Sequence, residues 1–161
     1  VQDPDELLQA LEIREIQHIQ LPFNLLDWRW DQAIEQIRQI KRTRQLTIHV
    51  RSVYLQGLLL SQNPRLWHKA NETEPSKIFR WMQDSVSQFQ KESLQDLCIS
   101  YVNGLDWVDG IVIGMETHEQ LVENLKLISK SPMTCNEAMS LMSSRPVLSE
   151  NTLNPALWKS H

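Results

Sequence analysis

The sequence predicts an α/β fold in which three parallel strands alternate with helices. Three observations carry that expectation. Short apolar runs rich in strand-forming residues recur at 16–23, 46–50 and 110–114; the stretches between them place apolar residues at helical spacing; and capping signals mark where those helices begin. The order reads helix, strand, helix, strand, helix, helix, strand, helix, helix, an alternation that calls for crossover connections and a parallel sheet.

The first helix opens at Asp3-Pro4-Asp5-Glu6, where Asp3 suits the cap, Pro4 the first turn, and Glu6 the far corner of a capping box. Leu7, Leu8 and Leu11 form its apolar stripe. The run Ile16 to Phe23, broken by Pro22 and followed by Asn24-Leu25-Leu26-Asp27, reads as a strand ending in a loop. Asp31 is expected to cap a second helix with Ala33, Ile34, Ile37 and Ile40 on one side and Glu35, Arg38 and Lys41 on the other. Leu46 to Val50 is the second strand. The stretch from Ser61 to Pro75 reads as a long polar loop, of the kind that forms a lid.

Helix resumes at Ser76 through Ile78, Phe79, Met82, Val86 and Phe89. Ser93 with Asp96 caps the next one, bearing Leu94, Leu97, Cys98, Tyr101 and Val102, and Gly104 is placed to end it. The third strand, Gly110 to Gly114, is a continuous apolar run expected to be covered on both faces. Thr117 with Gln120 and Thr134 with Glu137 are capping boxes for the last two helices. Residues 1–161 are expected to form one domain, with 143–161 as a tail wrapping the surface.

Composition narrows the function classes. With 16 basic and 20 acidic residues and a net charge of -4, the chain has no basic surface suited to nucleic acid or an anionic membrane. Cys98 and Cys135 lack metal-ligand spacing and read as reduced thiols, and the five histidines show no paired spacing. No apolar run approaches a membrane span, and Val1-Gln2-Asp3-Pro4 lacks a signal pattern, so a soluble, cytoplasmic protein is expected, with an amino terminus that looks cut. Glycine-rich phosphate loops and a nucleophile elbow are both missing from the four-glycine sequence.

Three stretches resemble one family. Ile19-Gln20-Leu21-Pro22-Phe23-Asn24-Leu25-Leu26-Asp27, then Val50-Arg51-Ser52-Val53-Tyr54-Leu55-Gln56-Gly57-Leu58-Leu59, then Gly110 to Asn124 are similar to the sixth, seventh and eighth strands of the aldo/keto reductases with their following loops and helix. An Asn154-Pro155-Ala156-Leu157-Trp158 tail follows in register. The resemblance implies the carboxy-terminal half of a (β/α)8 barrel, since a complete one takes about 200 residues or more.

The resemblance also implies a cofactor site at the carboxyl ends of the strands, where such barrels work. Gln20 would hold the nicotinamide carboxamide, whose donor and acceptor an amide matches. Arg51 stands where many members carry a stacking aromatic ring, and a planar guanidinium also stacks. Ser52, Tyr54 and Gln56 match the pyrophosphate loop, and Gly57 would let the chain pass close. Gly114 precedes a helix whose first amides favour an anion. Gly114 and Gln120 occupy positions that are Lys and Arg in NADPH-preferring members, while Glu116 adds negative charge; Glu123 and Asn124 match the adenine contacts. NAD and NADP both stay open as the cofactor, with NADPH disfavoured.

The family's proton donor, a Tyr tuned by Lys, Asp and His, comes from earlier strands. Tyr54 falls in the pyrophosphate loop and Tyr101 on an inward helix face, so no catalytic residue is assigned here. The expected function is therefore part of an NAD(P)-dependent oxidoreductase acting on a small carbonyl or alcohol, completed by a missing half-barrel. The alternative is a non-catalytic nucleotide-binding or self-associating half-barrel.

Overall fold

The computed structural model describes residues 1–159; Ser160 and His161, the end of the expected tail, lie outside them. Strands β1 (His18–Pro22), β2 (Thr47–Arg51) and β3 (Gly110–Val112) form one sheet in the order β1-β2-β3. Both pairings are parallel, with Gln20 beside His49, Pro22 beside Arg51, and Arg51 beside Val112. Helix α2 (Asp31–Thr43) connects β1 to β2, and α3 (Pro64–Lys69), α4 (Ser76–Gln88) and α5 (Leu94–Asn103) connect β2 to β3. The sheet is preceded by α1 (Pro4–Glu12) and followed by α6 (His118–Ile128), α7 (Cys135–Ser143) and α8 (Glu150–Leu153).

Side chains alternate across a strand, and here the alternation separates two unlike faces. Ile19, Leu21, Ile48 and Val50 are buried and join a core with Phe23, Trp30, Trp67, Tyr101 and Trp107. His18, Gln20, His49, Arg51 and Val112 point the other way and are exposed or half-buried. Helices thus cover one face of the sheet and leave the other open.

That open face corrects one expectation. β3 is parallel but not covered on both sides: Gly110 and Ile111 are half-buried and Val112 is 41% exposed, because β3 is an edge strand with its outward residue on the bare face.

Other corrections are local. The expected polar loop at 61–75 contains α3, capped by Asn63 and started by Pro64, and its Trp67 is fully buried with its indole donating to the Ser61 carbonyl at 2.8 Å. Asp31 does not cap α2; it is that helix's first residue, and its carboxylate pairs with Arg145 at 2.7 Å. The capping aspartate is Asp27, which heads a 3-10 turn over Trp28–Trp30.

Glu6 and Asp96 reach back past their caps, to the amides of Gln2 and Glu92. The boxes at Thr117 with Gln120 and Thr134 with Glu137 form as expected. Gly104 does end α5, although its φ of −87° is open to any residue. The need is space, since a Cβ there would lie 2.2 Å from the Met133 carbonyl oxygen. The tail is more than a surface wrap: Leu148, Thr152 and Leu153 are buried.

Candidate functional site

At the carboxyl ends of β2 and β3 lies a cleft of about 830 Å³ between the loop after β2 and the face of α6. Its size falls within the roughly 300–1,000 Å³ of small-molecule and cofactor sites. One wall begins at Arg51, the last residue of β2. The chain then turns through Ser52, Leu55 and Gln56 at φ of 62°, 47° and 55°, and Gly57 at 80°. Left-handed conformation in non-glycine residues costs energy, so something must enforce it. Val53, Leu55, Leu58 and Leu59 supply that force, all of them buried in the core beneath the loop. Gly57 is suited by its φ, and a Cβ there would meet nothing within 4 Å.

The loop folds onto itself by bonds from the amides of Leu55, Leu58 and Leu59 to the carbonyls of Ser52, Leu55 and Tyr54. The amides of Gln56 and Gly57 have no acceptor among the described residues. Successive free amides in a turn make a concavity suited to an anion. Opposite them, the Tyr54 hydroxyl donates to Asn124 Oδ1 at 3.2 Å. Burial, then the neighbouring Cys98 and Glu123, push the Tyr54 hydroxyl above its ordinary range, so it stays a neutral donor.

Of the ten residues singled out from sequence, nine line this cleft: Arg51, Ser52, Tyr54, Gln56, Gly114, Glu116, Gln120, Glu123 and Asn124. They come from two separate stretches of chain, the loop after β2 and the run from β3 into α6. Gln20 is not among the lining residues. It is exposed on the open sheet face, at the level of His49 and two positions below Arg51, so the expected convergence holds for Arg51 and Gly114 but not for Gln20.

Several of these groups already have partners. Arg51 Nη2 donates to the Val1 carbonyl at 3.2 Å and to Gln2 Oε1 at 2.8 Å. Gln120 Oε1 accepts from the amides of Glu116 and Thr117, leaving only its NH2 for another molecule. The start of α6, expected to favour an anion, has one of its own: the Glu119 carboxyl is held low by its own backbone amide and then by the Thr117 hydroxyl. Gln95, Leu60 and Met115 also line the cleft. Gln95 follows a helix cap and carries no motif, so no sequence signal marks it.

No group of three or more His, Cys, Asp or Glu side chains among the described residues is placed to hold a metal ion, and none of their helices is long and apolar enough to cross a membrane. No protein-family model and no curated protein matches the chain. Solved structures do. An aldo-keto reductase from Bacillus halodurans in its apo form superposes with a TM-score of 0.62 at 17% identity, covering 93% of this chain and 51% of that one. Its holo form gives a TM-score of 0.62 at 17% identity, with 93% and 50% covered.

The fold is that of half an aldo-keto reductase barrel. This chain spans about half the length of the solved structures it matches. Within that half-barrel, the cleft sits where strand ends and following loops meet, the side of a (β/α)8 barrel on which ligands bind.

Proposed function

We propose that this chain is the cofactor-binding part of an NAD(P)-dependent, aldo-keto reductase-like oxidoreductase. The supporting observation is that nine residues picked out from two stretches of sequence share one cleft at the strand ends. The donor set suits a dinucleotide. Arg51 supplies a planar cation for a ring or a phosphate, the free amides of Gln56 and Gly57 suit a pyrophosphate, and the amide of Asn124 suits a base edge. Gln20, on the open face outside the cleft, would meet the nicotinamide end.

When bound, the nicotinamide would supply a hydride to, or accept one from, a small carbonyl or alcohol substrate. The chain's own contribution is to bind and orient. Tyr54 and Asn124 fix the loop against α6, and the buried leucines beneath hold its strained turns in place before any ligand arrives. The proton for the carbonyl oxygen is assigned to residues outside this chain. Glu116 and Glu123 favour a ribose hydroxyl over a 2′-phosphate, and hence NADH over NADPH.

Residues 1–161 act in this reading as one unit in the cytoplasm, with neither nucleic acid nor a membrane as partner. A second reading, a non-catalytic or self-associating half-barrel, draws on α6, whose Leu121, Val122, Leu125 and Ile128 are all exposed, Val122 and Leu125 at 53% and 56%. Such an apolar face calls for a cover, either the remaining half of a barrel or another copy.

Titrating the chain with NADH and NADPH while following tryptophan and nicotinamide fluorescence tests the proposal. Saturable binding with a lower Kd for NADH is expected. Absence of binding to the folded monomer favours the second reading, a tighter Kd for NADPH removes the role given to Glu116, and carbonyl turnover by the pure chain refutes the assignment of the proton donor elsewhere.

A further inference from the structure

A second depression, of about 990 Å³, lies on the helical side of the molecule, between α1 and α2 and next to the start of α8. Its floor is apolar. Leu8 is 40% exposed on a helix whose Leu7 and Leu11 are buried, and Trp28 and Ile40 stay half-buried along the same track. Trp28 is fixed as a wall because its indole donates to the Leu148 carbonyl at 2.8 Å.

The rim is acidic. Asp3 is committed to capping α1, which leaves the exposed carboxylates of Asp5, Glu12 and Glu150, none of them in an ion pair among the described residues. The one cation lining the groove among the described residues is already neutralised. Arg29 places Nε and Nη2 on the two oxygens of buried Asp27 at 2.8 and 2.7 Å, and Nη2 also donates to the Leu153 carbonyl. An apolar track flanked by unpaired negative charge therefore runs along the seam of two helices.

We propose that this groove docks an amphipathic, Lys- or Arg-flanked helix of a partner protein. Apolar anchors at helical spacing would lie on Leu8, Trp28 and Ile40, with basic side chains reaching Asp5, Glu12 and Glu150. The same charge disfavours the other occupants. An anionic membrane surface is repelled, and a second copy of this chain brings an identical acidic rim and a net charge of -4. The groove is separate from the cleft at the strand ends, so the inference does not depend on dinucleotide binding.

The test uses the 161-residue chain and a synthetic amphipathic helix of leucine and lysine, titrated by calorimetry, with a leucine and glutamate helix and a scrambled leucine and lysine sequence as controls. Binding of the first peptide alone is expected, weakening severalfold as salt rises from about 0.05 to 0.3 M. Leu8→Glu is expected to reduce affinity by about tenfold or more, as loss of a central anchor does. Leu8 is exposed enough to accept the change, and circular dichroism checks that the fold survives. Glu12→Lys with Glu150→Lys gives a second, independent loss, and exchange protection should rise on α1 and α2. Equal binding of the scrambled or acidic peptide, affinity unmoved by both variants, or no binding at low salt overturns the proposal. So does self-association that Leu8→Glu abolishes, which would make a second copy the occupant.

Discussion

The Tyr54 hydroxyl reaches Asn124 Oδ1 across 3.2 Å, joining the strained loop after β2 to the middle of α6. The bond lies across the cleft, so it couples the stability of the loop to the shape of the site. Asn124→Ala leaves a half-buried hydroxyl without its acceptor and is expected to cost about 1 kcal/mol of stability, whereas Tyr54→Phe removes the donor and costs less. Both should weaken dinucleotide binding. Urea midpoints and Kd values of the two variants and their double mutant measure the coupling, and full additivity would show that the bond contributes nothing.

Burial raises three acids in this fold: the Cys98 thiol by burial alone, and the hydroxyls of Tyr54 and Tyr101 by burial first. Each folded group holds its proton more tightly than its unfolded counterpart, whose ordinary values are 9.0 for the thiol and 10.0 for the hydroxyls. Their contribution to stability is thus complete below about pH 9 and is lost as pH rises beyond it. Urea midpoints should be flat from these groups at neutral pH and fall through the alkaline range. The Tyr101 hydroxyl is buried with no hydrogen-bond partner among the described residues. Tyr101→Phe should accordingly be neutral or stabilising by up to about 1 kcal/mol at pH 7, and should flatten the alkaline decline.

Gly104 meets the connection between α6 and α7 at close quarters. The Met133 amide donates to the Ser100 carbonyl at 2.9 Å, which brings the Met133 backbone directly over the end of α5. Gly104→Ala must displace backbone rather than a flexible side chain, with an expected cost of about 1–3 kcal/mol. Gly114→Ala is the control, since a Cβ there meets nothing within 4 Å. Thermal melts of the pair decide the matter, and equal Tm values would remove the steric role given to Gly104.

Much of this fold is written in local patterns. The strands at His18–Pro22 and Thr47–Arg51 follow from β-branched and apolar alternation, and the Thr117 and Thr134 caps from short-range hydrogen-bond chemistry that needs no tertiary partner. What the sequence conceals depends on long-range packing. Trp67 turns an apparently polar loop into a helix by burying its indole, and α2 starts without a side-chain cap because it continues from a 3-10 turn whose cap, Asp27, is held by the side chains of Arg29 and Trp30. The cleft was legible in residue type but not in engagement. The Thr117 box signals locally that Gln120 is occupied by its own cap, but nothing local signals that Arg51 reaches back to Gln2 or that Gln20 stands outside the wall. Gln95 was invisible for the opposite reason, an ordinary helical position that acquires its place only when α5 meets the loop after β2.

Cofactor preference offers the sharpest test of the electrostatics. Glu116 is exposed at the entrance to α6, and its backbone amide, not its side chain, holds Gln120 Oε1 at 2.7 Å. Its carboxylate can therefore be replaced without dismantling the cap. Glu116→Lys substitutes attraction for repulsion toward a 2′-phosphate while leaving a ribose hydroxyl little affected. An exposed ionic contact is worth up to about 1 kcal/mol, so the ratio of Kd values should move about fivefold toward NADPH and contract again as salt rises. Fluorescence titrations of both dinucleotides against the variant, at low and high salt, read that ratio directly. A ratio that stays fixed would mean that the adenosine ribose does not approach Glu116, and would place the phosphate-bearing end of the dinucleotide elsewhere along the cleft.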